Sequence, residues 1–90
     1  MGVEELALDS ARARLGHAIR WARSRHGLSR PDLARRMGYR NVSKGCGRIA
    51  AWEAARDIPR GGQGDGLLRA LPDDASTLRA QLERVRQLGV

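Results

Sequence analysis

The stretch from Leu28 to Glu53, LSRPDLARRMGYRNVSKGCGRIAAWE, constrains the fold more than any other part of the chain. Ser29 followed three positions later by Asp32 has the form of a capping box. The serine oxygen can accept an orphan backbone N–H of a first helical turn while the carboxylate reaches back. Pro31 falls inside that first turn, where a missing N–H does no harm. Leu33, Ala34 and Met37 then share one helical face, with Arg30, Arg35 and Arg36 left to point outward. Gly38 is a stop signal. A second helical pattern follows, so this stretch reads as two short helices joined at a glycine-centred turn.

The rest of the composition agrees with helices. Ninety residues make one small domain with one modest core. The only aromatic residues are Trp21, Tyr39 and Trp52, so the core must be Leu, Ile, Val and Ala packed between helices, and a β-sandwich or barrel is disfavoured. The spacing predicts an all-α fold of about five helical segments. Residues 1–9 are expected to be a flexible arm or a short extra helical turn, residues 10–71 the core of the fold, and residues 72–90 a C-terminal amphipathic helix.

Charge is informative by position. Residues 10–60 hold thirteen of the seventeen Arg and Lys against only Asp32, Glu53 and Asp57, an excess of ten positive charges. Residues 1–9 carry three acids and no base, and residues 61–90 balance at zero. A basic excess centred on the paired helices is the electrostatic footprint of a surface that displaces counterions from a phosphate backbone. One cysteine, Cys46, cannot form an internal disulfide and has no metal-ligand spacing around it. No apolar run approaches a membrane span, and the acidic N-terminus is unlike a secretory signal. A soluble cytoplasmic protein is expected.

In chain order, the first helix is expected from near Ser10 to about His26, burying Leu15, Ala18, Ile19 and Ala22, with Gly27 as its stop. Beyond the central stretch, Pro59 ends the helical region. Residues 60–66, RGGQGDG, read as a flexible connector. They lack the Gly-Lys-Ser/Thr of a phosphate-binding loop. Leu67, Leu68 and Leu71 supply a short fourth helix broken by Pro72. In the last segment Leu78, Leu82, Val85 and Leu88 form an apolar stripe. That stripe must be covered, either by its own bundle or by the same stripe of a second subunit.

Leu15, Gly16, Ile19, Arg23, Gly27, Leu28, Ser29, Leu33, Ala34 and Gly38, followed by Ile49, Trp52, Glu53 and Pro59, resemble the helix-turn-helix domain of the phage-repressor family, the Cro/C1 or XRE type. The resemblance covers roughly residues 15–71. It implies a bundle whose second and third helices form a DNA-binding unit, usually as a homodimer on a palindromic operator. It also implies that Arg23 and Glu53 pair, tying the first helix to the third. The chain departs from the family between the matched blocks: eleven positions separate Gly38 from Ile49 where about six are usual. Either the third helix is lengthened at its N-terminal end with Asn41 as cap, or a glycine-containing wing precedes a shorter helix. Gly45 and Gly47 count against the first, each costing about 1 kcal/mol relative to Ala in a helix interior.

Either arrangement sets polar groups at the leading edge: Arg40, Asn41 and Ser43 at the tip, and Lys44 and Arg48 on an outward face. Arg48 suits guanine O6 and N7, and Asn41 suits adenine N6 and N7. Arg30 stands where the family commonly carries a DNA-contacting glutamine and suits a phosphate, together with Lys44 and Arg40. Trp52 is expected in the core. The function that follows is a sequence-specific transcriptional regulator, a dimeric repressor of duplex DNA. The alternative is an adaptor that turns the same fold against a protein, as an antitoxin or enzyme inhibitor would. No catalytic grouping can be assembled, since His17 and His26 lie too far apart in turn and no nucleophile has a base. No cofactor, metal or small-molecule ligand is expected.

Overall fold

A computed structural model of the chain describes residues 2–89. Its elements are α1 (Val3–Arg25), α2 (Arg30–Met37), α3 (Val42–Glu53), α4 (Gly62–Ala70), a single 3₁₀ turn (Pro72–Asp74) and α5 (Ala75–Gly89). The all-α fold expected from the spacing forms, as a compact bundle of five helices. Among the described residues there is no strand, and no helix is long and apolar enough to cross a membrane.

Three local rules set the boundaries around the central stretch. Ser29 caps α2, its Oγ accepting from the Asp32 backbone N–H at 3.2 Å while Asp32 Oδ2 accepts from the Ser29 N–H at 3.1 Å. Hydrogen bonding to the carboxylate, from the Ser29 hydroxyl first and then from its backbone N–H, holds the Asp32 carboxyl below the usual carboxylate range. Gly38 ends α2 with φ +91°, a left-handed conformation that a side chain would strain. Asn41 caps α3, its Oδ1 accepting from the Lys44 N–H at 3.0 Å. Of the two arrangements open for residues 39–48, the structure has the helix: α3 runs unbroken through Gly45 and Gly47.

The core is one aliphatic cluster with Trp52 inside it. Leu15 and Ile19 of α1, Leu33 of α2, Ile49 and Trp52 of α3, Leu67 and Leu71 from the α4 region and Leu78, Leu82 and Val85 of α5 are all buried. Two glycines let α3 approach its neighbours. A Cβ at Gly16 would stand 2.5 Å from the Trp52 carbonyl oxygen, and one at Gly45 would stand 2.8 Å from both Ala34 Cβ and the Tyr39 ring. The penalty of a helical glycine is therefore offset at these crossings by backbone contact that no other residue permits.

Three expectations are corrected. Of the arm and the short helical turn expected over residues 1–9, the arm is excluded for residues 3–9: α1 is helical from Val3 onward, with Leu8 packed against the core. The connector 60–66 is helical from Gly62, because α4 begins there and its glycines face neighbours, Gly64 towards Leu82 and Arg86 and Gly66 towards Met37. The stripe Leu78, Leu82, Val85 and Leu88 is not a dimerisation seam. The first three are buried in the chain's own bundle and Leu88 packs against its edge. The reason is the reach of α1. His26 Nε2 meets Asp74 Oδ2 at 3.1 Å at one end, and Gly89 lies beside Leu8 at the other, so α1 and α5 run antiparallel and cover the stripe along its length. Met1 and Val90, the outer ends of the expected arm and last helix, lie outside the described residues.

Candidate nucleic-acid interface

The capped start of α3 fixes where the polar residues of the third helix stand. Arg40, Asn41, Ser43 and Lys44 are exposed, Gly47 is exposed, and Arg48 is half-buried. Asn41, Lys44 and Arg48 border one cleft of about 420 Å³, whose far wall is the start of α4 at Gly62, Gln63 and Gly66 and whose floor includes Met37 and Tyr39. Neither Lys44 nor Arg48 meets a carboxylate in an ion pair among the described residues. Lys44 therefore keeps its attraction for an external anion, and Arg48 does so less fully, since its charge also acts on the Asp57 carboxyl.

Two side chains are engaged within the fold where a DNA contact was expected of them. Asn41 spends its carboxamide oxygen on the Lys44 backbone N–H, which leaves Nδ2 as its outward group. The bidentate grip on adenine needs both atoms, so Asn41 acts first as a cap. Arg30 is not free: its Nη2 donates to Glu53 Oε1 at 3.1 Å.

Glu53 is the centre of a three-residue cluster. Arg23 Nε donates to Oε2 at 2.8 Å and Arg23 Nη2 to Oε1 at 3.0 Å, a fork-to-fork pair, while Arg23 Nη1 donates to the Leu28 carbonyl at 2.9 Å. The side chain of Glu53 is 2% exposed, that of Arg23 14% and that of Arg30 44%. Hydrogen bonding to Glu53 raises the already high Arg23 pKa. The pair joins α1 to the end of α3, as the family resemblance implies, and fixes the α1–α2 connection through Leu28. Removing one partner would strand a buried charge at a cost of about 3–5 kcal/mol.

Sequence reasoning missed the α4 wall of the cleft, because RGGQGDG reads as a loop when its glycines are taken as punctuation. The alternation of Gly64 and Gly66 was the available signal, marking positions where neighbouring side chains and backbone come close. It also missed that Arg30 and Arg23 share one acceptor. Only the fold reveals this, since residues 30 and 53 are far apart in the chain.

Compared with family models, with curated proteins and with solved structures, the chain matches none.

Proposed function

We propose that this chain is a sequence-specific duplex-DNA-binding regulator of the phage-repressor-like helix-turn-helix type, acting in the cytoplasm as a repressor. Binding rather than catalysis is its activity. One observation carries the reading: a twelve-residue α3, capped at Asn41, presents unpaired Lys44 and Arg48 and exposed Ser43 from a helix whose opposite side is locked into the core by Gly45, Ile49 and Trp52. A rigid helix with a polar, cationic outer face and a free N-terminal tip is what major-groove entry requires. The excess of ten positive charges over residues 10–60 supplies the phosphate attraction.

Within this reading Arg48 and Lys44 contact base edges and adjacent phosphates, Ser43 and Arg40 contact the backbone at the tip, and Arg30 holds a phosphate. Homodimerisation on a palindromic operator remains part of the proposal, but the second subunit must meet a face other than the buried stripe of α5.

Selection of bound duplexes from a random-sequence pool tests it. The expected outcome is a recurring motif of several base pairs whose enrichment disappears with Arg48→Ala. A pool that stays random after repeated rounds would contradict sequence-specific recognition and turn attention to a protein partner.

A further inference from the structure

Glu53 does more in this fold than neutralise Arg23. Its carboxylate is almost fully buried, and the fork of Arg23 already balances its charge. Arg30 is a second cation on the same Oε1. The cluster of two arginines and one glutamate therefore carries one net positive charge, and it emerges at Arg30, the most exposed of the three.

The place of that charge on α3 gives it meaning. At about 3.6 residues per turn, Ser43 and Gly47 stand at the centre of the exposed side of α3. Lys44 and Arg48 lie on one flank and Glu53 on the other. The contacts agree: Arg48 borders the cleft with α4, whereas Glu53 faces α1 and α2. A ridge of small residues is thus bracketed by cations, Lys44 and Arg48 on one side and the tethered Arg30 on the other. A helix with side chains is about as wide as the major groove, so cations on its two flanks face the two phosphate backbones that line that groove.

We propose that Glu53 is a positioning residue: through Oε1 it holds Arg30 as the grip on the backbone strand opposite the one met by Lys44 and Arg48. This rests on the duplex-DNA reading above. One nitrogen of the Arg30 guanidinium is spent on Glu53 and its remaining N–H groups can donate to a phosphate oxygen, which a planar five-donor fork allows and a lysine ammonium does not reproduce. Pre-orienting the side chain lowers the ordering cost that binding would otherwise carry.

The test is duplex affinity against salt concentration for the wild type, Arg30→Ala, Arg30→Lys, Glu53→Gln and the Arg30→Ala/Glu53→Gln double variant, with thermal melting of each. Loss of one phosphate contact lowers the salt slope by about one, and that is the result expected for Arg30→Ala. Arg30→Lys should keep the slope yet bind several-fold more weakly. Glu53→Gln should weaken binding in the wild type and add nothing in the Arg30→Ala background. Should Glu53→Gln fail to fold, the contrast between the alanine and lysine variants carries the test alone. An Arg30→Ala chain that melts earlier but keeps the wild-type slope would overturn the proposal and leave Arg30 as a strut. A wild-type chain with no duplex affinity at low salt would sink the DNA reading, and the grip with it.

Discussion

At the scale of single residues, the glycines of α1 and α3 separate into two kinds that look alike in the sequence. Gly16 lies where a Cβ would press on the backbone of Trp52 and Glu53, whereas Gly47 has nothing within 4 Å of that position. Gly16→Ala must force α1 away from α3 and should destabilise the chain by about 2 kcal/mol or more. Gly47→Ala gains helix propensity with no clash and should stabilise by about 1 kcal/mol. Chemical denaturation of both variants checks the pair, and equal effects of either sign would contradict the packing described. Asp32 gives a residue-scale dependence on pH. Its carboxyl is held below the usual range in the folded chain, so its contribution is complete at neutral pH. It is lost as pH falls, first past the unfolded value of about 4 and then through the lower folded value. Asp32→Asn should remove that part of the acid dependence, seen by comparing melting curves of the two proteins between neutral and acidic pH.

At the scale of elements, what could be read in the sequence was whatever local chemistry decides. Ser29, Asp32, Pro31 and Gly38 fix the ends of α2 through hydrogen bonds and backbone angles that involve only near neighbours, and they were readable in advance. Asn41 belongs with them, and Asn41→Ala should cost about 1 kcal/mol by exposing the first turn of α3, measurable by thermal melting. Where tertiary contact decides, local reading failed. Residues 62–66 carry poor helix propensity, yet they form the first turns of α4, where the missing side chains of Gly64 and Gly66 admit Arg86 and Met37. Gly45 counted against a long third helix on propensity alone, and the contact with Ala34 and Tyr39 that offsets this joins different helices. The acidic start of α1 was likewise left between an arm and a short helical turn, although Glu4 and Glu5 in a first turn suit a helix N-terminus.

At the scale of the whole molecule, the antiparallel embrace of α1 and α5 decides what the apolar stripe is for. Leu82 is 3% exposed in the single chain, so Leu82→Ala should cost about 2–5 kcal/mol of folding stability and leave the oligomeric state in sedimentation unchanged. A variant that instead shifted the protein between dimer and monomer with little loss of stability would restore the seam. The same burial leaves the exposed side of α3, the cleft beside α4 and the Arg30 cluster as the polar, cationic surface that the proposed DNA reading uses, with the acidic start of α1 apart from it in the chain.

Fluorescence anisotropy on a selected duplex and its shuffled counterpart, across a salt series, tests that surface most directly. Sequence-specific recognition predicts a preference of about 10³ or more for the selected duplex, persisting near physiological salt and lost in Arg48→Ala. Equal binding of both duplexes, falling steeply together as salt rises, would show that only the excess positive charge is speaking and would contradict α3 as a reading helix.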